Sequence, residues 1–152
     1  MKFKIDKQEY EAFLQTLPVD IRQECFTWLI SRFDVPKALF LIHKHNLEVG
    51  EIGVEAWAKG LGMAGELELR EGKTSWKINM LTGVTDDDAV KPHINPDIPV
   101  VIVEHTWGRG KQKESGPLLI DGNHRLRKAF LEKREKIKAY YLPKELTKLV
   151  YL

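Results

Sequence analysis

Residues 116–126 read GPLLIDGNHRL, a pattern in which a strand is followed by a turn and a helix. Its first half is apolar and typical of a buried strand, and its second half leads through a glycine into a helix. The first N–H groups of a helix have no partner within the helix, and the helix dipole adds partial positive charge there. The turn Asp121-Gly122-Asn123-His124-Arg125 therefore predicts a binding site for an anion, most often a phosphate group.

Two residues of this turn are difficult to explain by helix geometry alone. His124 and Arg125 can both carry positive charge at the positive end of a helix, an arrangement that a bound anion would stabilise. Gly122 allows the backbone to turn tightly. Asp121 either caps the helix, binds Mg²⁺ or orients a nucleophile. Asn123 either caps the helix or adopts a left-handed backbone conformation, and the sequence leaves these alternatives open.

The hydrophobic pattern on both sides of the turn predicts an α+β fold. A helix over residues 124–133 follows the turn, and a closing helix begins at Pro143. The segments with strand-like alternation or buried apolar runs are residues 66–70, 75–80, 98–103, 117–120 and 136–142.

The first part of the chain has helical spacing instead. It predicts an N-terminal helical region over residues 1–62, followed by an α+β region over residues 63–152 in the same compact unit. The helices are predicted after Lys7, from near Asp20, after the N-cap Asp34 with Pro36 in the first turn, and from Val54 to Lys59. The second of these helices would bury Cys25 in its apolar stripe.

The composition is that of an ordinary globular protein. The chain has 152 residues, 43% of them hydrophobic and 30% charged, with a net charge of +2. The single cysteine excludes a disulfide within the chain. No apolar run approaches the roughly 20 residues that a membrane span needs, and the N-terminus lacks the apolar core of a signal peptide. We therefore expect a cytoplasmic protein without a membrane partner.

Residues 119–129, which read LIDGNHRLRKA, resemble the superfamily of ParB N-terminal domains and sulfiredoxins. Its members carry a glycine-containing strand-to-helix loop that ends in a His-Arg or Arg-Arg pair. Residues 95–100 resemble the segment that leads into the preceding strand, and residues 136–143 fit the strand that follows. The resemblance covers residues 91–143 and implies the mixed sheet of that superfamily.

What the resemblance implies is nucleotide binding, with ATP or CTP as the ligand and Mg²⁺ as the cofactor. Gly122 and Asn123 would allow the backbone to approach the phosphates, and His124 and Arg125 would contact phosphate oxygens. Asn123 stands where sulfiredoxins have their reactive cysteine, so reduction of sulfinic acids is not implied.

The sequence leaves open whether the chain catalyses a reaction. An NTP-dependent phosphotransferase or NTPase would use Asp121, His124 and Glu104 as catalytic residues, with Asp121 and Glu104 as metal ligands. Glu104 lies near the end of an apolar strand, and ligands of parallel sheets gather at the carboxyl ends of strands. The alternative is that Glu104 is simply a polar residue leaving the core. Lys111 and Lys113 either close over a polyphosphate or belong to an exposed charged loop.

A DNA-associated module or a metal-dependent nuclease is the alternative function. Residues 34–60 would form its helix-turn-helix, and a separate basic cluster follows the turn. This cluster consists of Arg125, Arg127, Lys128, Lys133 and Arg134. Several glutamates within residues 34–60 would repel the phosphates of DNA, so a nucleic-acid partner is not favoured over a phosphorylated small molecule.

Overall fold

The fold is α+β, as the sequence predicts. The computed structural model describes residues 3–28, 31–61, 86–108 and 110–152, and the strands predicted at 66–70 and 75–80 lie outside these ranges. The described helices are α1 (Lys7–Thr16), α2 (Val35–Lys44), α3 (Val54–Gly60), α4 (Asp86–Ala89), α5 (Asn123–Leu131) and α6 (Lys144–Thr147). The strands are β1 (Cys25–Trp28), β2 (Ser31–Asp34), β3 (Gly50–Gly53), β4 (Val100–Trp107), β5 (Glu114–Asp121) and β6 (Lys136–Leu142).

Two sheets are formed by these strands. Strands β1 and β2 make an antiparallel hairpin, and the other four strands form a sheet with the order β3-β6-β4-β5. Strand β4 is antiparallel to β5, from the pair Val101–Asp121 to the pair Trp107–Glu114, with an irregularity between Val101 and Ile102. Strand β3 is antiparallel to β6. The buried apolar segments predicted around residues 100 and 118 are therefore neighbouring strands.

The chain divides into two compact units that do not coincide with the predicted boundary at residue 62. The first unit consists of Met1–Glu48, Val101–Asp121 and Tyr140–Leu152. The second unit consists of Val49–Val100 and Gly122–Ala139. Each unit is therefore assembled from segments that are distant in the sequence.

The core of the first unit packs α2 and α6 against β4 and β5. Its buried side chains include Phe33, Leu41, Val103 and Ile120. Helix α2 begins as the sequence predicts, because the Asp34 carboxylate accepts a hydrogen bond from the Lys37 N–H at 3.2 Å and a proline occupies the first turn. The N-cap and the apolar stripe together fix the helix in place.

The helix predicted from Asp20 is wrong. A short 3₁₀ turn over Ile21–Gln23 leads directly into the β1–β2 hairpin. Phe26 and Trp28, two residues apart, stack on one another on one face of β1, with ring centroids 6.4 Å apart. The alternation of aromatic side chains favours a strand more strongly than the apolar spacing of the same segment favours a helix. As a result, Cys25 is exposed and not buried as predicted.

The second unit places α3 and α4 against α5. The Val54 N–H donates to the Glu135 carbonyl at 3.0 Å, which joins the start of α3 to the segment before β6. Between α2 and α3 lie residues 45–53, which include β3 and replace the short turn of a helix-turn-helix. The predicted helix-turn-helix over residues 34–60 is therefore wrong. None of the helices in the described ranges has the length and apolar character needed to cross a membrane.

Candidate functional site

The turn between β5 and α5 depends on Gly122. This residue is the N-cap of α5 and has φ 104° and ψ 21°, in the left-handed region. A Cβ atom at this position would lie 2.5 Å from Val100 Cγ1 and 2.9 Å from Val100 Cβ. The backbone dihedrals and the close approach of Val100 both require glycine, which agrees with the tight turn predicted from the sequence.

The N-terminus of α5 receives no side-chain cap from its N-cap residue. The first helical hydrogen bond runs from the Leu126 N–H to the Gly122 carbonyl at 2.9 Å. The N–H groups of residues 123–125 precede this bond and lie outside the helical ladder. They carry the positive end of the dipole of a nine-residue helix.

Asn123 and His124 begin the helix. Asn123 Oδ1 is buried and has no hydrogen-bond partner within the described part of the chain. Buried polar atoms are nearly always paired, and an unpaired acceptor lowers stability. His124 is half-buried, and its ring has no hydrogen-bond partner among the residues that the structure describes. The first turn of α5 thus holds one unsatisfied acceptor beside an imidazole.

Arg125 has a structural role that the sequence did not predict. Its Nη1 atom donates to the Pro99 carbonyl at 3.0 Å and lies 3.4 Å from the Ile98 carbonyl. These contacts tie the first turn of α5 to the segment that leads into β4. A phosphate contact of this guanidinium would be additional to this role, since a guanidinium has five N–H donors.

Two further members of the predicted basic cluster are also engaged within the fold. Arg127 is completely buried, with its guanidinium 5.3 Å from the centre of the Phe130 ring. Lys128 Nζ donates to the backbone carbonyl of Ile94 at 2.7 Å and to that of Lys91 at 3.2 Å. Both side chains therefore hold neighbouring parts of the second unit together.

Arg134 lies beyond the end of α5 and is engaged as well. It binds Asp97 at 2.7 Å and Glu132 at 2.9 Å, and its hydrogen bond lowers the pKa of Asp97. The predicted basic cluster is consequently not one open basic face, because Arg125, Arg127, Lys128 and Arg134 all have partners inside the molecule.

Glu104 is not brought to the end of β5 that carries Asp121. The two strands are antiparallel, and Glu104 stands opposite Pro117, whereas Asp121 stands opposite Val101. Glu104 is three positions after Val101 on β4, which corresponds to about 10 Å along the strand. The parallel arrangement on which the predicted role of Glu104 depends is therefore wrong.

The Glu104 carboxylate instead accepts a hydrogen bond from the Tyr141 hydroxyl. Burial, followed by this hydrogen bond, raises the pKa of Tyr141 to about 12. The carboxylate thus has a partner within the first unit. In the described residues, no group of three or more His, Cys, Asp and Glu side chains has an arrangement that could hold a metal ion.

His105, the neighbour of Glu104, belongs to an aromatic cluster of the first unit. It is 6% exposed, and its Nδ1 atom lies 2.7 Å from the Tyr151 hydroxyl oxygen. The rings of Phe33 and Trp107 lie 5.4 and 5.8 Å from it. Burial lowers the pKa of His105, so its neutral form is favoured and it serves packing within the core.

A cavity of about 660 Å³ lies in the second unit, at the opposite end of α5 from the turn. It is lined by Gly53, Val54, Glu55, Ala56, Phe130, Leu131, Lys133, Arg134 and Glu135. Phe130 is seven positions after Asn123, which corresponds to about 10 Å of helix, so this cavity does not include the turn.

No protein-family model matches the sequence, and no curated protein or solved structure matches the chain. The resemblance to the ParB and sulfiredoxin superfamily therefore rests on the sequence alone, on the motif of residues 119–129 and the segments 95–100 and 136–143.

Proposed function

We propose that this chain is a phosphate-binding domain that takes a nucleotide, ATP or CTP, at the turn between β5 and α5. The observation that carries the proposal is the N-terminus of α5, where a left-handed glycine is the N-cap and makes no side-chain cap hydrogen bond. Anions bind at such helix ends because N–H donors and the dipole act together. The ParB/sulfiredoxin-like fold is part of the same proposal and is supported by the motif.

The residues of the first turn have complementary roles in this proposal. The backbone N–H groups of residues 123–125 would donate to phosphate oxygens, and the His124 ring would add a further donor. Asn123 Oδ1 is buried and unpaired within the described residues, so we assign to Asn123 only its backbone N–H as a phosphate donor. Gly122 allows the left-handed turn and the close approach of Val100 that together position this helix end.

Mg²⁺ bound together with a nucleotide usually keeps several waters and takes only one or two protein carboxylates beside the phosphates. Asp121, the first residue of the turn, is the carboxylate that we assign to this role. Glu104 has no part in the proposed site, because the register of β4 and β5 separates it from Asp121. A phosphotransferase or an NTPase would be built on this site, since phosphoryl transfer depends mainly on positioning and charge stabilisation.

Isothermal titration of the chain with ATP, CTP and GTP, each with Mg²⁺, tests the proposal. We expect binding of at least one nucleotide, and we expect His124→Ala to weaken it about tenfold, the effect of losing one hydrogen bond to a charged group. His93→Ala is the matched control, because His93 is exposed and lies in the same unit. Absence of binding by the unmodified chain, or equal binding by both variants, would contradict the proposal.

Gly122→Ala gives a second measurement on the shape of the turn. Its Cβ would meet Val100, so the first turn of α5 must shift and nucleotide binding should be lost. Circular dichroism of the same sample establishes whether the fold persists. A folded Gly122→Ala variant with undiminished affinity would exclude the turn as the binding site.

A further inference from the structure

The hairpin of β4 and β5 ends in an exposed group of aromatic and basic residues. The strands pair as far as Trp107 and Glu114, and a short 3₁₀ turn over Gly110–Gln112 lies between them. Trp107 is 46% exposed, and Lys111 and Lys113 are both exposed. We name the group of Trp107, Lys111 and Lys113 the hairpin end.

The indole of Trp107 is held in place by the backbone beneath it. A Cβ atom at Gly116 would lie 3.2 Å from indole Cη2 and 3.5 Å from Cζ3, so the ring rests on the strand where a side chain is missing. The ring of His105 lies 5.8 Å from it, measured between centroids. One side of the indole is thus fixed by the hairpin, while nearly half of the residue's surface stays in solvent.

The two lysines of the hairpin end differ from the basic residues of α5. Within the described ranges, neither Lys111 nor Lys113 has an ion pair or a hydrogen bond from its ammonium group. Glu114 is the acidic residue beside them in the sequence, so the hairpin end has an excess of positive charge. This arrangement is complementary to a ligand that combines negative charge with flat apolar rings.

We propose that the hairpin end binds single-stranded nucleic acid. An unpaired base would stack on the exposed area of the Trp107 indole, and the phosphates on either side would contact Lys111 and Lys113. Stacking on an aromatic side chain tolerates every base, and lysines that contact the backbone make binding dependent on salt. Duplex DNA does not fit the proposal, because its bases are already stacked.

Fluorescence anisotropy of a labelled oligothymidylate of about 12 nucleotides, at low salt, tests this proposal. We expect saturable binding by the unmodified chain and at least a tenfold loss in Trp107→Ala. Trp107→Phe keeps an aromatic ring and should retain most of the affinity. No binding by the unmodified chain, equal binding of a duplex of the same length, or full affinity in Trp107→Ala would each overturn the proposal.

The lysines are tested by the double variant K111E/K113E. We expect weaker binding and a salt dependence that is shallower by about 1.4 in the slope of log K against log salt, as for two lost phosphate contacts on a single strand. The matched control is K4E/K7E, which makes the same change in net charge at two exposed lysines of the same unit. An equal loss in K4E/K7E would show an effect of overall charge and overturn the proposal.

This proposal is independent of the nucleotide site, and His124→Ala separates the two. If the hairpin end binds the oligonucleotide, His124→Ala retains that binding whether or not it loses ATP or CTP. If His124→Ala abolishes oligonucleotide binding while circular dichroism is unchanged, the oligonucleotide binds at α5 and the assignment to the hairpin end is wrong.

Discussion

The basic residues of α5 and those of the β4–β5 hairpin look alike in the sequence but have opposite surroundings in the structure. Arg125 and Lys128 donate to backbone carbonyls, and Arg127 has no exposed surface. Lys111 and Lys113 are exposed, without a hydrogen bond or an ion pair in the described part of the chain.

A cluster of positive charge in a sequence therefore does not by itself indicate a binding surface. A cation that replaces its hydration with carbonyl oxygens or aromatic rings holds the fold together, whereas one that stays hydrated remains available to a ligand. Substitutions in the two regions should therefore affect different quantities: stability in α5 and ligand binding in the hairpin.

Arg127→Ala should have the largest effect on stability. The substitution removes a completely buried side chain that packs over Phe130 and leaves a cavity, so we expect the free energy of unfolding to fall by about 2–5 kcal/mol. Urea denaturation followed by circular dichroism measures this change. Arg127→Met keeps most of the volume and separates the contribution of packing from that of charge. A decrease of less than about 1 kcal/mol in the free energy of unfolding of Arg127→Ala would contradict this prediction, because it is the size of effect typical of an exposed position.

Arg125→Ala should have the second largest effect. The carbonyls of Ile98 and Pro99 lose a charged donor, which corresponds to about 1–3 kcal/mol for hydrogen bonds of this kind. The same denaturation experiment measures the loss, and Arg125→Lys, which keeps one charged donor, should recover part of it. An unchanged free energy of unfolding would show that Arg125, like the lysines of the hairpin, does not stabilise the fold.

Lys133→Gly should stabilise the chain by about 0.5–1 kcal/mol. Lys133 has φ 59° at the end of α5, where the Lys133 N–H donates to Phe130 and the Arg134 N–H donates to Ala129, the pattern in which glycine is favoured. Glu132→Gly is the control at ordinary helical dihedrals, where glycine should destabilise the chain, and Glu132→Ala accounts for the loss of the Glu132 ion pair with Arg134. If Lys133→Gly lowers the thermal midpoint, the lysine side chain has a role that its exposure does not indicate.

Lys111→Ala and Lys113→Ala should have the smallest effect on stability, within about 0.5 kcal/mol of zero, because both side chains are exposed. Their effect should instead be seen in the binding of single-stranded oligonucleotides. A loss of unfolding free energy above about 1 kcal/mol in either variant would show that these lysines stabilise the fold, as the basic residues of α5 do.

Local patterns predicted most of the elements that surround the turn. Strand β6 has the predicted bounds, the short helix after Gly53 is present, and the cap of α2 at Asp34 is formed as expected. These elements are determined by neighbouring residues, through alternation, helical spacing and capping.

The errors occur where distant residues decide the outcome. Cys25 lies on a strand because β1 pairs with β2, and this pairing prevails over the helical stripe of the same segment. Glu104 is separated from Asp121 because β4 and β5 are antiparallel, a property that two apolar segments do not reveal by themselves. The contact of Arg125 with Pro99 joins residues 26 positions apart, and no local signal indicates it.

Gly122 has a consequence for how this gene tolerates change. The clash with Val100 occurs at Cβ, an atom that every other amino acid shares, and the left-handed dihedrals disfavour all of them further. In a saturation library, missense alleles at codon 122 should therefore have similar fitness whatever the chemistry of the new side chain. A second-site suppressor should map to codon 100, where a smaller residue makes room for the added carbon.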